Sequence, residues 1–221
     1  CFQSTVNAIK LLRDAGIQVQ VNCTMIQNNF ESIPFLTRLS RDLDISVRMS
    51  LLNPKSGRAR GLPMATEALD VYQILALREY CNEIRKMGSK VFLNLPPILQ
   101  YPEDIPPIRS PACGWTQSYC GVLHNGDVTI CGVAGDCPEL VAGNLYKDSF
   151  SKIWSESKLF TDLRQLKTSD LRGICGRCKF RDTCGGACRL SGHKTGNMLN
   201  PYPLCQTFYD EGLIPEEILA V

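Results

Sequence analysis

Cysteine is the residue type that stands out in this 221-residue chain, which has twelve cysteines and only two histidines. Nine of the twelve fall between Cys113 and Cys205, and several neighbours are separated by only two to five residues. Disulfide-rich secreted domains are usually much shorter, and cysteines this closely spaced suit the wrapping of a metal better than the closure of loops. The spacing therefore favours metal binding, with a disulfide-stapled secreted domain as an alternative.

The remaining composition is that of an ordinary globular protein, with 44% hydrophobic and 21% charged residues. A net charge of +2 gives no reason to expect nucleic acid as a partner, and no run of apolar residues is long enough to span a membrane. The chain opens with Cys1 inside a helix-like pattern, so we interpret it as a piece of a longer protein. The missing signal peptide then says nothing about location.

Residues 1–95 alternate between helical and strand-like patterns at a spacing typical of parallel βαβ units. Alternating apolar and polar residues mark the strands, and apolar residues three or four apart mark the helices. The predicted elements are a helix from Ser4 to Gly16, a strand over Ile17–Met25, a helix with Pro34 in its first turn, a strand over Ile45–Leu51, a helix over Thr66–Met87 and a strand over Val91–Leu95.

The first two predicted strands each have one apolar and one polar face, whereas strands buried on both faces tend to be apolar throughout. If the apolar faces meet the helices, the polar faces line a barrel interior or cleft where a polar cofactor or substrate binds. The candidate residues on these faces are Asn22, Thr24, Arg48 and Ser50. Two alternatives stay open: these side chains satisfy one another in a polar core, or the strands belong to a sheet edge or a half-solvated antiparallel sheet.

Residues 96–112 contain six prolines and are predicted to form an extended connector, because proline fixes φ and removes a backbone donor. This connector separates residues 1–95 from a cysteine-rich region at 113–221. One amphipathic helix, from about Ser149 to Leu166, is predicted inside that region.

The dipeptide Asn125-Gly126 between two β-like runs predicts a hairpin with a two-residue type I′ turn. Such a turn would place Cys120 directly opposite Cys131, with Cβ atoms about 4.5–5.5 Å apart. The pair would then suit either one metal cluster or a disulfide, and a longer turn would break the pairing.

A second group of cysteines follows with metal-ligand spacing, because a Cys-x2-Cys turn lets two sulfurs converge on one centre and the neighbouring glycines allow close backbone approach. Four thiolates suit zinc and a [4Fe–4S] cluster equally well. The cysteines of this group are Cys175, Cys178, Cys184, Cys188 and Cys205. The basic residues among them, which either offset cluster charge or form a solvated face, are Arg177, Lys179, Arg181 and Arg189.

The complete pattern resembles the SPASM domain of radical S-adenosylmethionine (SAM) enzymes. It reads Cys113-x12-Gly126-x4-Cys131, then Cys175-x2-Cys178-x5-Cys184-x3-Cys188, then Cys205. Residues 1–95 resemble the last third of the partial (β/α)6 barrel of these enzymes, including the Asn53-Pro-Lys-Ser-Gly-Arg58 turn after a late strand. The resemblance implies an α/β fold in which the C-terminal part of that barrel precedes a small cysteine-rich α+β domain with a hairpin.

The resemblance also implies two auxiliary [4Fe–4S] clusters whose ligands interleave along the chain. By that pattern the first cluster has the ligands Cys113, Cys120, Cys131 and Cys188, and the second has Cys175, Cys178, Cys184 and Cys205. Cys137 lies outside the pattern, as a spare thiol or an alternative ligand. His124 and His193 are expected at the surface, and Cys1, Cys23 and Cys81 are interpreted as packing residues.

Radical SAM enzymes bind their catalytic cluster through a Cys-x3-Cys-x2-Cys motif that is absent from this sequence. The only Cys-x3-Cys runs from Cys184 to Cys188, and Ser191 stands where the third cysteine would be. The chain alone is therefore expected not to cleave SAM. In the full-length enzyme, the resemblance implies SAM, a third [4Fe–4S] cluster and a 5′-deoxyadenosyl radical.

We therefore expect a cytoplasmic enzyme part whose two auxiliary clusters relay electrons during radical modification of a peptide, or of a peptide- or tetrapyrrole-derived cofactor precursor. The expected partners are a peptide or small-molecule substrate and a reductant such as flavodoxin or ferredoxin, without nucleic acid or membrane. The alternative from another class is a zinc-binding four-cysteine interaction module with no redox function.

Overall fold

The structure is a computed structural model that describes residues 2–53, 67–101, 105, 113, 114 and 116–219. The described residues divide into two units, the first comprising those up to Leu95 and the second those from Pro96 onward. None of the helices in these ranges combines the length and the apolar character that crossing a bilayer requires.

A three-stranded parallel sheet organises the first unit. Its strands are β1 (Gln20–Met25), β2 (Ser46–Leu51) and β3 (Val91–Asn94), and its helices are α1 (Phe2–Asp14), α2 (Ile33–Asp42) and α3 (Val71–Lys86). The central strand is β2, in which Val47 is paired with Val21 on one side and with Val91 on the other. The predicted parallel pairing is confirmed, and the antiparallel alternative is wrong. Helices α2 and α3 supply the crossovers that parallel neighbours require.

The start of the first strand differs from the prediction. Strand β1 begins at Gln20 rather than at Ile17, because the backbone N–H of Ile17 donates to the Leu12 carbonyl at 2.9 Å and so completes the end of α1. At its other end, α1 extends back to Phe2, beyond the predicted cap at Ser4. The hydrophobic periodicity located both α1 and β1, but it did not show to which of them the residues between Asp14 and Gln20 belong.

A capping box fixes the start of the long helix. The Asp70 carboxylate accepts a hydrogen bond from the Gln73 N–H at 2.8 Å, and the Gln73 side chain accepts one from the Asp70 N–H at 3.0 Å. The helix therefore begins at Val71. The predicted start at Thr66 lies outside the described residues, as does most of the Asn53–Arg58 turn.

The apolar face of the sheet forms the core of the first unit. Met25, Val47, Met49 and Val91 are completely buried there, and Leu77 of α3 is buried as well. The alternation that predicted one apolar and one polar face is confirmed, because polar residues between these positions remain exposed or partly exposed.

The second unit combines a small antiparallel sheet with short helices. Its strands, in sheet order, are β4 (Gly121–Val122), β5 (Asp127–Thr129) and β6 (Val141–Asn144). Its helices are α4 (Phe150–Glu156), α5 (Lys158–Arg164), α6 (Gly173–Arg177), α7 (Arg181–Cys184), α8 (Arg189–His193) and α9 (Pro203–Asp210). The sheet and the first two helices enclose a core in which Val128, Ile130 and Phe160 are at most 1% exposed.

The hairpin exists, but its predicted register is wrong. Val122 is paired with Val128 and Gly121 with Thr129, so Cys120 is not directly opposite Cys131. The loop is one residue longer than predicted. The Gly126 N–H donates to the Leu123 carbonyl at 3.0 Å, and Gly126 itself has φ +82°, which is the arrangement of a three-residue loop. Glycine is needed at this position because its φ is positive.

The single amphipathic helix predicted from Ser149 to Leu166 is two helices, α4 and α5. Ser157 separates them with ψ 123°, which is an extended rather than a helical backbone. The break lets Trp154 and Phe160 meet edge to face, with ring centroids 5.8 Å apart and Phe160 completely buried. An uninterrupted helical pattern gave no sign of this break.

The start of the proline-rich stretch is packed rather than simply extended. Pro97, Ile98 and Leu99 form one buried turn of 3-10 helix. The prediction of an extended connector is wrong for this turn, since its apolar side chains pack into the second unit. Most of the remaining connector lies outside the described residues.

Candidate metal centres

Four of the predicted ligands line one pocket in the second unit. Cys175 lies in α6, Cys178 follows that helix, Cys184 ends α7 and Cys205 lies in α9. All four are buried. We call these cysteines the second quartet, because they are the predicted ligands of the second cluster.

The charges of these sulfurs act on one another across the pocket. Burial, together with the smaller effect of the charges of Cys184 and Cys175, raises the pKa of Cys178 to about 11. Burial also raises the pKa of Cys205, followed by the charges of Cys175, Cys184 and Cys178. Four thiols held this close together in an apolar pocket resist ionisation without a cation, and a bound metal reverses that preference.

Backbone N–H groups point at several of the sulfurs. The Tyr202 N–H donates to Cys175 Sγ and the Phe180 N–H donates to Cys178 Sγ, both at 3.4 Å. Such hydrogen bonds stabilise the thiolate form, and around iron–sulfur clusters they tune the reduction potential. At Cys178 this hydrogen bond opposes the larger effect of burial.

Gly176 makes the Cys175–Cys178 turn sterically possible. A Cβ at this position would lie 2.3 Å from the Leu171 carbonyl oxygen, which no real side chain tolerates. The prediction that glycine permits a close backbone approach beside these cysteines is confirmed here.

The other predicted ligands form the first quartet, which consists of Cys113, Cys120, Cys131 and Cys188. Burial raises the pKa of Cys131, and the charges of Cys188 and Cys113 act in the same direction. Cys120, Cys131 and Cys188 pack against the same core of the second unit. Cys120 is held near Cys131 through this shared core and not through the predicted cross-strand pairing.

Cys184 lines the pocket of the second quartet, whereas the charge of Cys188 acts on Cys131 of the first, although only three residues separate Cys184 from Cys188. The three residues between them, Gly185, Gly186 and Ala187, all have positive φ, at 62°, 76° and 52°. A left-handed backbone at Ala187 costs about 1–2 kcal/mol, whereas glycine adopts it at little cost. The resemblance implied that Cys188 crosses to the other group, and this turn provides the local geometry for it.

Gly121 brings the hairpin against the backbone of Cys131. A Cβ on Gly121 would lie 2.3 Å from the Cys131 carbonyl carbon and 2.4 Å from the Gly132 nitrogen. Both contacts are with backbone atoms, which cannot move aside as a flexible side chain can. In addition to the shared core, a close backbone contact that only glycine permits therefore keeps Cys120 near Cys131.

We expect Gly121→Ala to lower the stability of the second unit by about 1–3 kcal/mol and to reduce iron retention by the first quartet, because the hairpin must separate from Cys131. Gly132→Ala is the matched control, since a Cβ there meets nothing within 4 Å. Thermal unfolding and iron content would be measured for both variants. Equal behaviour of the two variants would contradict this explanation.

Arg189 is a buried cation between the two quartets. It is 4% exposed, and its guanidinium donates to the carbonyl oxygens of Gly186, Met198 and Asn200. Burial lowers the pKa of Arg189, and this shift is opposed by the thiolates that act on it, which are Cys175, Cys184, Cys188 and Cys113. These thiolates include two from each quartet, so one positive charge acts on both.

The other basic residues differ in their surroundings. Arg177 and Lys179 are exposed, whereas Arg181 is partly exposed and lines the pocket of the second quartet. Of the two roles predicted for this group, charge compensation therefore fits Arg189 and Arg181, and the solvated face fits Arg177 and Lys179. Sequence spacing could not separate them, because burial depends on the packing of α8.

Two tyrosines near the sulfurs were not predicted. The Tyr119 hydroxyl lies 2.9 Å from Cys113 Sγ. Burial raises the pKa of Tyr202, and the charges of Cys188, Cys205 and Cys184 add to that effect, so this ring is near sulfurs of both quartets. Neither tyrosine belongs to a spacing pattern that could have identified it.

The predicted polar face of the first unit is present on the sheet. Asn22 is adjacent to Arg48 in the β1–β2 register, and Thr24 is adjacent to Ser50. The Ser50 hydroxyl donates to the Asn22 side-chain oxygen at 3.0 Å. Two side chains of the polar face thus hydrogen-bond to each other, as in the alternative of a polar core. The role of the face toward a cofactor or substrate stays a prediction.

Residues 113–179 match the sequence model of the SPASM family, described as an iron–sulfur cluster-binding domain. The chain is 26% identical over 224 residues to the AdoMet-dependent heme synthase of Nitratidesulfovibrio vulgaris, covering 92% of this chain and 58% of that protein. It is also 26% identical over 224 residues to the mycofactocin maturase MftC of Mycobacterium tuberculosis, covering 98% of this chain and 54% of that protein. The chain thus spans little more than half the length of these relatives.

Solved structures share the fold. The structure of Streptococcus suis SuiB bound to the precursor peptide SuiA superposes with a TM-score of 0.62 at 16% identity, over 90% of this chain and 46% of that one. The structure of anSMEcpe with bound AdoMet gives a TM-score of 0.61 at 16% identity, over 95% of this chain and 55% of that one. At this identity the likeness concerns the fold alone.

Proposed function

We propose that this chain, which carries a SPASM iron–sulfur domain and belongs with the radical SAM/SPASM proteins, holds two auxiliary [4Fe–4S] clusters that relay electrons during radical modification of a substrate. The observation that carries the proposal is that Cys184 lines one pocket with Cys175, Cys178 and Cys205, whereas the charge of Cys188 acts on Cys131. A single zinc-finger-like group would have kept Cys184 and Cys188 together.

The donor set and its spacing fit iron–sulfur clusters. Tetrahedral zinc holds its sulfur ligands about 2.3 Å away, so three zinc-bound sulfurs lie about 3.8 Å from one another. Among the described residues, only Cys137, Glu139 and His193 have three metal-ligand atoms within 4.8 Å of one another. Both quartets are therefore spaced more widely than one zinc ion requires, and a four-iron core fills a wider space.

The unpaired state of the cysteines supports the same choice. All eleven cysteines in the described ranges are free thiols. A disulfide-stapled domain would have joined at least some of them, most plainly Cys120 and Cys131. The alternative of a secreted disulfide scaffold has no support in this geometry.

The proposal assigns a role to the cysteines, to Arg189 and to two backbone N–H groups near the quartets. When bound, such clusters accept and release single electrons at potentials set by charge, hydrogen bonds and burial. The cysteine thiolates would hold them, Arg189 would offset their negative charge, and the Tyr202 and Phe180 N–H groups would donate to the sulfurs. Because each quartet supplies four thiolates, no iron is left open for substrate, which favours electron relay over substrate ligation.

The C-terminal segment packs beside one member of the second quartet. Cys178 forms an isolated antiparallel bridge with Leu219, and the Lys179 N–H donates to the Ile218 carbonyl at 3.1 Å. Leu219 and Cys178 are both buried. This contact supports the burial of Cys178, and solvent exclusion is one of the factors that set a cluster potential.

We propose a peptide, or a peptide- or tetrapyrrole-derived cofactor precursor, as the substrate of the whole enzyme. MftC is named for mycofactocin maturation, the SuiB structure contains a precursor peptide, and the AdoMet-dependent heme synthase is named for a tetrapyrrole product. A short precursor peptide encoded beside the gene would favour the peptide. If no such peptide is encoded there and the full-length enzyme consumes haem precursors, a tetrapyrrole substrate would be favoured.

Metal analysis of anaerobically purified protein tests the cluster proposal. We expect about eight iron and about eight acid-labile sulfide per chain, with absorbance near about 400 nm that dithionite bleaches. Colourless protein with about two zinc ions per chain and no iron would instead establish the zinc module. Mössbauer spectra would identify the cluster type.

A further inference from the structure

A third group of metal-ligand side chains lies outside both quartets. Cys137 Sγ, a Glu139 carboxylate oxygen and a His193 ring nitrogen lie within 4.8 Å of one another. Cys137 and Glu139 belong to the turn that includes the 3-10 segment Pro138–Leu140, and His193 is the last residue of α8. We propose that these three residues form a binding site for one divalent transition-metal ion, with zinc as the best match.

The position of His193 corrects the prediction of a surface loop residue. Its Nε2 atom lies 2.7 Å from Glu139 Oε1, and its side chain is only 22% exposed. Cys137 is 1% exposed. The donors therefore converge from two segments that are 54 residues apart, Glu139 and His193, and their approach is not a consequence of local sequence.

The chemistry of the three donors selects the ion. A thiolate, an imidazole and a carboxylate together form a borderline set that suits zinc, whereas magnesium and calcium prefer oxygen donors alone. One thiolate and one carboxylate also neutralise the two charges of the ion. Because Glu139 is exposed, water can reach the site and occupy the fourth tetrahedral position.

The Lys194 ammonium lies near this group and is already paired. It donates to the Asp136 carboxylate at 2.8 Å. Asp136 balances its charge, so the ammonium adds little repulsion toward a metal ion.

A metal at this site would join the segments that carry two cluster cysteines. Cys131 precedes the Cys137–Glu139 turn by a few residues, and Cys188 directly precedes α8, which ends at His193. Cys131, Cys137 and Cys188 also share one core. The ion would therefore hold the two sides of the first quartet in place without being a ligand of the cluster.

Zinc titration of the full chain, purified anaerobically with its iron in place, tests this site. A chromophoric chelator would compete for zinc, and zinc-edge X-ray absorption would count the sulfur ligands. We expect about one zinc per chain with one sulfur and mainly nitrogen or oxygen ligands, and an affinity that falls at least about tenfold in His193→Gln and in Glu139→Gln. His124→Gln, in the exposed hairpin turn, is the matched control and should bind zinc as the unaltered chain does.

The possible outcomes separate this site from the cluster proposal, on which it does not depend. Normal iron content without retained zinc, or equal zinc affinity in His193→Gln and the control, would overturn the site alone. Zinc with four sulfur ligands and no iron would overturn the cluster proposal and show that the quartets hold the metal. Because His193 and Glu139 are not completely buried, their glutamine variants should fold, which a thermal unfolding curve would verify.

Discussion

Cys184→Ser and Cys188→Ser are expected to remove different clusters, although the two cysteines lie only four positions apart in the sequence. Each variant should lose about half of its iron, from about eight to about four atoms per chain. The physical reason is the proposed ligand assignment, in which the left-handed turn between the two cysteines separates a ligand of the second cluster from a ligand of the first. Electron paramagnetic resonance of the reduced proteins should then show a different remaining signal in each variant.

Double variants make this prediction sharper. Cys184→Ser combined with Cys205→Ser should still retain about four iron atoms, because both changes damage the same quartet. Cys184→Ser combined with Cys188→Ser should retain almost none, because each quartet then lacks a ligand. Cys23→Ser is the control, since Cys23 is partly exposed on a strand of the first unit and belongs to neither quartet.

A different grouping of the ligands would give the opposite pattern. If the four closely spaced cysteines from Cys175 to Cys188 held one cluster, the pair Cys184 and Cys188 would cost only about four iron atoms and the pair Cys184 and Cys205 would cost more. That result would show the interleaved assignment to be wrong while leaving iron binding itself intact.

Arg189→Gln is expected to lower the reduction potentials of both clusters together. A cluster held by four thiolates becomes more negative on reduction, so a buried positive charge nearby favours the reduced form, and its removal disfavours that form. We expect shifts on the order of 50 mV for each cluster, given that about 1.4 kcal/mol corresponds to 59 mV for one electron. Spectroelectrochemical titration of the iron-loaded chain would measure both potentials.

The same substitution should also destabilise the second unit. The Arg189 guanidinium donates hydrogen bonds to the carbonyl oxygens of Gly186, Met198 and Asn200. Each buried carbonyl that is left unpaired costs about 1–3 kcal/mol of stability. Arg189→Lys separates the two effects, because lysine keeps the charge but cannot reach three carbonyls as the planar guanidinium does. The lysine variant should therefore lose stability and largely retain its potentials.

Arg177→Gln serves as the surface control for charge. The Arg177 side chain is 52% exposed, so solvent screens its effect on the sulfurs and its removal should shift the potentials much less. Equal shifts for Arg177→Gln and Arg189→Gln would show that net charge alone acts on the clusters. A shift of only one cluster in Arg189→Gln would contradict the shared position of this residue.

The first unit was predictable because its signals are local and periodic. Alternating residues in β1 and β2 indicated strands with one buried face, and the helices between them required parallel pairing, which the register of Val47 confirms. The errors lie where two elements compete for the same residues. Ile17 could extend a strand or close a helix, and only its hydrogen bond to Leu12 shows which of the two occurs.

The hairpin shows why a turn signal alone does not determine register. Asn125-Gly126 predicted the turn at the correct place, but three-residue loops also favour glycine at their last position. The length of the loop was decided by how β5 pairs with β6 and packs in the core around Val128. One extra loop residue was enough to move Cys120 out of the predicted pairing with Cys131.

The amino-acid sequence by itself determined which atoms can bind a metal, because it has many closely spaced cysteines and only two histidines. The order of these cysteines is typical of SPASM proteins. Only the tertiary structure decided that Arg189 is buried between the quartets and that Cys137, Glu139 and His193 meet. The reason is physical, because spacing along the chain records which residues are covalent neighbours. Burial and convergence depend instead on how α8 and the turn before β6 pack against the same core.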